Sequence, residues 1–134
     1  MRVFIDSNIP MYVAGREHAN REPARRFLAR VRDREVDGCT STAVLFEILA
    51  RYSALGRPDL ARKVHDLFVA ICPVVFDLTL ADTDYARELL LSAKGVTARE
   101  AVHAAVMTNR KIERIASFDR GFIEVPGIKR YDLD

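Results

Sequence analysis

Short apolar runs alternate along this chain with longer stretches in which apolar residues recur every three or four positions. That alternation predicts an α/β protein with a mostly parallel β-sheet, because parallel neighbours are joined by crossovers that are usually helical. Residues 3–5, 39–41, 74–76 and 115–118 read as strands, and 128–131 as an edge strand. A helix is expected over 18–34, with Phe27, Leu28 and Val31 on one face and arginines on the other. Residues 42–55 form a second helical stretch, ended by Gly56 and Pro58. Further helices are expected over 59–71, from 79 or 81 to 92, and over 98–110.

Composition narrows this picture. With 134 residues, 49% of them hydrophobic and 30% charged, the chain is sized for one domain spanning 1–134. A domain of this size buries roughly 65–70% of its unfolded surface, so neither disulfides nor a structural metal are needed to fold it. Cys39 and Cys72 sit among apolar residues without metal-ligand spacing, which argues against a secreted disulfide scaffold or a zinc finger. A reduced, cytoplasmic setting is expected. The chain enters its first strand directly, without the apolar stretch of a signal peptide. Its longest apolar stretch, 68–76, is broken by Pro73, so no membrane span is expected.

The net charge of +2 is too small to imply a nucleic-acid partner by itself. Its distribution is uneven, with an excess in Arg16, Arg21, Arg25, Arg26, Arg30, Arg32 and Arg34. Such a run is ordinarily a solvated helix face, with contact to a phosphate backbone as the alternative.

The informative residues are acids at places where the hydrophobic pattern does not require them. Asp6 ends the first strand in Asp6-Ser7-Asn8, where an Asx-turn or helix N-cap is the ordinary role. Glu47 lies among apolar neighbours in Phe46-Glu47-Ile48. An ion pair with Arg51 would account for it at about 0.3–0.5 kcal/mol, but its flanks point it into a partly enclosed space. Glu100 completes a capping-box pattern, Thr97-x-x-Glu100, and Asp119 follows the strand at 115–118, where a turn role suffices. Taken together, the four acids allow another reading. Asp6 and Asp119 fall just past the carboxyl ends of strands, where parallel sheets form their ligand crevice, and Glu47 and Glu100 lie in early turns of helices that can start at the same edge. Converging carboxylates repel unless protons or cations intervene, and Mg²⁺ or Mn²⁺ is the natural counter-ion for oxygen ligands.

Four segments stand together in this order: Val3-Phe4-Ile5-Asp6-Ser7-Asn8, the stretch 41–49 with its single Glu47, Arg99-Glu100-Ala101-Val102-His103-Ala104-Ala105, and Ile115-Ala116-Ser117-Phe118-Asp119-Arg120-Gly121-Phe122. In them the sequence resembles the PIN-domain family, and within it the VapC-like ribonuclease toxins of toxin–antitoxin systems. The resemblance covers nearly the whole chain. It implies a parallel sheet in a three-layer α/β/α arrangement, with Asp6, Glu47, Glu100 and Asp119 as an acidic metal site. It also implies cleavage of RNA to 5′-phosphate and 3′-hydroxyl ends, a small antitoxin partner and a homodimer. The family usually carries Asp where Glu100 stands, and Glu reaches one methylene further. His103 is common in the matching segment and is read here as a packed helix residue, because a metal-activated water needs no imidazole.

Two other readings stand beside the nuclease. A receiver-like signalling module would use Asp77, after the strand 74–76, as phosphoacceptor, although a single Asp6 stands where a receiver offers paired acids. The same fold without chemistry would be an RNA- or protein-binding module. No P-loop or Gly-x-Gly-x-x-Gly occurs, so nucleotide-driven chemistry has no support.

Overall fold

In the computed structural model, which describes residues 1–133, the apolar runs are strands and the periodic segments helices. Strands β1 (Arg2–Ile5), β2 (Asp37–Ser41), β3 (Val74–Phe76), β4 (Arg114–Ala116) and β5 (Lys129–Arg130) form one sheet in the order β3-β2-β1-β4-β5. Every pairing is parallel. The helices are α1 (Asn8–Ala14), α2 (Arg21–Arg32), α3 (Thr42–Ala54), α4 (Pro58–Ile71), α5 (Leu80–Ser92) and α6 (Ala98–Asn109). They flank the sheet in the expected three-layer α/β/α arrangement.

The central strands are covered on both faces, which is why they read as unbroken apolar runs. Val3, Phe4, Ile5, Ile115 and Ala116 are all buried, and Phe4 pairs with Cys39 on one side and Ile115 on the other. Helix α2 buries Phe27, Leu28 and Val31 and comes so close to β2 that a Cβ on Gly38 would lie 2.7 Å from a Val31 methyl carbon. Its arginines face outward as a solvated surface, with Arg25 bonded to Glu22 and Arg32 to Asp33. Cys39 and Cys72 are free and buried, and burial pushes their thiols up to about 12 and about 11. No helix among the described residues is long and apolar enough to cross a membrane.

Three differences from the sequence reading have physical causes. Helix α1 is too short for a helical period to repeat, and Pro10 disguises it further. Pro10 stands in the first turn, where a missing N–H costs nothing. The strand expected to run to residue 118 ends at Ala116, because Ser117 and Asp119 leave the ladder to bond side chains. Finally, β3 lies at the sheet edge with β2 between it and β1. The flavodoxin-like order 2-1-3-4-5 of receiver-type folds sets the third strand beside the first. Asp77, on the edge strand's end, therefore cannot share a crevice with Asp6, and the receiver reading is set aside.

One buried ion pair ties α5 to α6. Asp82 closes a capping box with Thr79 and accepts hydrogen bonds from Arg110 at 2.9 Å and from the Asn109 amide at 2.8 Å. Burial alone would push this carboxyl up, but the bonds from Arg110, Asn109 and Thr79 outweigh it and hold the pKa at about 2, below its ordinary 3.8. The lowered folded value means stability that is present above the unfolded pKa and lost as pH falls toward the folded one. Asp82→Asn should cost about 2 kcal/mol at neutral pH. Urea denaturation at several pH values checks this: the gap from wild type should close as pH falls from about 4 to about 2. A gap that ignores pH would contradict the assignment.

Candidate active site

The strand order changes direction between β1 and β4, and crevices of open parallel sheets form at such a switch point. Asp6 follows β1 and is pinned there, its backbone N–H donating to the Ala116 carbonyl at 3.0 Å. Its carboxylate is fully buried. Oδ1 accepts from the Ser7 backbone N–H at 2.7 Å, and Oδ2 accepts from the Ser117 hydroxyl at 2.6 Å. Asn8 braces the same corner by donating to the Ser117 hydroxyl at 3.1 Å.

Glu47 arrives from α3, which starts directly after β2. Its Oε2 accepts from the Ser7 hydroxyl at 3.2 Å, and its Oε1 meets His103 Nε2. Asp119 arrives from beyond β4, where its Oδ1 caps the 3₁₀ turn Arg120–Glu124 by accepting from the Gly121 N–H at 2.8 Å.

Arg99 joins these three acids. Its Nη2 donates to Asp6 Oδ1, its Nε to Glu47 Oε2 at 2.5 Å and its Nη1 to Asp119 Oδ2 at 3.0 Å. Burial works against its charge, but Asp6 and Glu47 more than compensate and push its pKa further up. In the same way burial would raise Glu47, while His103 and Arg99 outweigh it and hold the carboxyl below the usual glutamate range. The guanidinium also lies over the Phe122 ring, 5.8 Å from its centroid.

His103 is buried between the rings of Phe4 and Phe122, as a packed helix residue should be. It does more than pack. Nε2 faces a carboxylate oxygen, which calls for the proton on that nitrogen, while Nδ1 is buried without a partner. Glu100 stands apart from the Arg99 hub. Its Oε1 accepts from the Thr97 N–H at 2.9 Å in a complete capping box. Its Oε2 lies 1.7 Å from where a Gly121 Cβ would be. The structure thus brings Asp6, Glu47 and Asp119 together and sets Glu100 beside them against the Asp119 turn.

The sequence reading missed Arg99, Ser117 and Gly121. Arg99 carried a legible signal, for it is the second residue of α6, where the helix dipole disfavours a cation. A groove of about 810 Å³ opens over the acids, lined among others by Asn8, Tyr12, Phe46, Glu47, Arg99 and Asp119.

A doubly covered parallel sheet with acids converging at its switch point defines a small α/β protein with an acidic candidate site. The PIN domain profile matches residues 3–128, and the chain belongs to that family. It is 38% identical over 128 residues to ribonuclease VapC13 of Mycobacterium tuberculosis, covering 96% of this chain and 98% of that protein. Among solved structures it is similar to M. tuberculosis VapC20, described as a sarcin–ricin loop cleaving toxin. The TM-score there is 0.74 at 21% identity, covering 90% of this chain and 92% of that one. VapBC2 from Rickettsia felis, bound to a DNA fragment from their promoter, gives 0.74 at 15% identity, covering 98% and 100%.

Gly121 is the one position where a single methyl group tests this packing. Gly121→Ala should displace the Glu100 carboxylate, break its bond to the Thr97 N–H and cost about 1–3 kcal/mol. In a Glu100→Ala background the same change should cost much less. A double-mutant cycle by thermal or urea melting measures the coupling, and additive costs would contradict the contact.

Proposed function

We propose that this protein is a divalent-metal-dependent endoribonuclease and the toxin of a toxin–antitoxin pair. The observation that carries the reading is the convergence of buried Asp6 with Glu47 and Asp119 at the switch point, in a chain this similar to a VapC ribonuclease. The donor set fits Mg²⁺ or Mn²⁺: Asp6 and Glu47 offer carboxylate oxygens within 4.8 Å of each other and of a His103 ring nitrogen, and hard oxygens are the donors these ions prefer. When bound, the ion supplies charge neutralisation at the phosphodiester and a water of lowered pKa.

The chain's own residues do the positioning. Asp6 and Glu47 would hold the ion, with Asp119 and Glu100 completing the acidic set. Ser7 and Ser117 orient the Asp6 oxygens, and His103 orients Glu47. A single RNA strand would lie in the groove over these acids, and hydrolysis would leave 5′-phosphate and 3′-hydroxyl ends. Exposed Phe46 and Leu55 give the groove apolar walls, which suit an apolar antitoxin segment. VapBC antitoxin–toxin complexes among the structural neighbours support the same partner. Leu80 and Leu91 stand exposed eleven residues apart on one side of α5, a face suited to a second copy of the chain.

Purified protein should degrade single-stranded RNA with Mg²⁺ or Mn²⁺ and stop when EDTA is added. In the same assay Asp6→Asn should be inactive while still folded. Glu100→Gln, which keeps the capping box, should melt within about 1 kcal/mol of wild type yet need far more metal, and Glu100→Asp should retain substantial activity. Cleavage that persists in excess EDTA would sink the metal mechanism. A fully active Gln variant would remove Glu100 from the site.

A further inference from the structure

Each acid that meets Arg99 has one oxygen bonded only to the scaffold and one bonded to the guanidinium, which for Asp6 and Glu47 also accepts from Ser7. Asp6 gives Oδ2 to the Ser117 hydroxyl, Glu47 gives Oε1 to His103, and Asp119 gives Oδ1 to the Gly121 N–H. The remaining oxygens, Asp6 Oδ1, Glu47 Oε2 and Asp119 Oδ2, are those that Arg99 takes, through three different nitrogens. Asp6 and Glu47 offer oxygens within 4.8 Å of each other, close enough to share a cation, and Arg99 takes one oxygen of each. Arg99 is held by these acids and not by its helix, whose N-terminal dipole opposes its charge.

The side chain is 33% exposed and lies over Asp6, which is fully buried. It lines the large groove and also a second one, of about 470 Å³, bounded by Thr42, Leu78 and Val102. It can leave the acids toward either groove without crossing the core.

We infer that Arg99 is a tethered cation that occupies the carboxylate cage, and that Arg99 and a divalent ion exclude one another from it. The inference rests on the metal reading above. It makes Arg99 the residue that sets metal affinity: it neutralises the acids while no ion is bound, and its displacement lowers the net gain when one binds.

The test is a Mn²⁺ titration of wild type and Arg99→Gln, read by loss of the free-ion electron paramagnetic resonance signal, with melting temperatures alongside. The Gln variant should bind Mn²⁺ at least about tenfold tighter, a difference of about 1.4 kcal/mol. It should also melt lower than wild type without metal and gain more on adding it. Arg99→Lys, which keeps the charge but not the three-way fork, should fall between the two. A readout on the wild type covers the case in which the Gln variant does not fold without metal. The Arg99 Nε–H resonance of ¹⁵N-arginine-labelled protein, identified by its loss in Arg99→Lys, should shift as Mg²⁺ saturates. Equal or weaker Mn²⁺ binding by the Gln variant, or an unmoved Nε–H resonance in Mg²⁺-saturated protein, overturns the inference and leaves the metal reading standing. Failure of both the wild type and the Gln variant to bind either ion overturns both.

Discussion

The guanidinium of Arg99, bonded to Asp6, Glu47 and Asp119, answers a problem that the topology creates. A parallel sheet that reverses direction between β1 and β4 brings the ends of those strands together, and here both ends lead into an acid. Helix α3, starting directly after β2, adds Glu47 from the side. Two carboxylates about 4 Å apart repel by about 4 kcal/mol at an effective dielectric constant of about 20, so three cannot sit together uncompensated. Helix α6 supplies the compensation: Arg99 in its first turn, and one turn further Nε2 of His103 on Glu47.

The second buried acid network shows what separates structural from functional acids in one molecule. Asp82 and Glu100 both close capping boxes with a threonine three residues earlier. Asp82 also has an arginine, Arg110, but both of its oxygens are taken by Arg110, Asn109 and Thr79, within the α5–α6 contact. The acids at the switch point are also held by the fold, Asp6 by Ser7 and Ser117 and Glu47 by Ser7 and His103, but one oxygen of each also reaches Arg99 beneath an open groove. The position of the acids under that groove, not a lack of partners, separates them from Asp82.

Much of this was legible in the sequence. Asp6, Glu47 and Asp119 stood out because strand ends and an apolar helix segment do not call for acids, and the structure joins those three. Helices with a clear period, such as α2 and α4, fall within a few residues of expectation. Helix α1 did not show itself, because seven residues with a proline carry no period. Arg99 went unnoticed because an arginine beside a glutamate looks like a surface pair, and only the fold reveals that its partners lie 20, 52 and 93 residues away. Glu100 stayed double-valued for a physical reason: Thr-x-x-Glu satisfies a helix end whether or not the carboxylate has a second task. Strand order, which excluded Asp77, depends on pairings that no local pattern encodes.

On the proposed mechanism one cage of oxygens at the switch point holds either Arg99 or a divalent cation, and anomalous diffraction from crystals grown with Mn²⁺ distinguishes the two occupants. A peak is expected at about 2 Å from Asp6 and Glu47 oxygens, with the Arg99 guanidinium turned away from both. Mn²⁺-saturated crystals in which Arg99 still bridges Asp6, Glu47 and Asp119, with no peak among them, would contradict it.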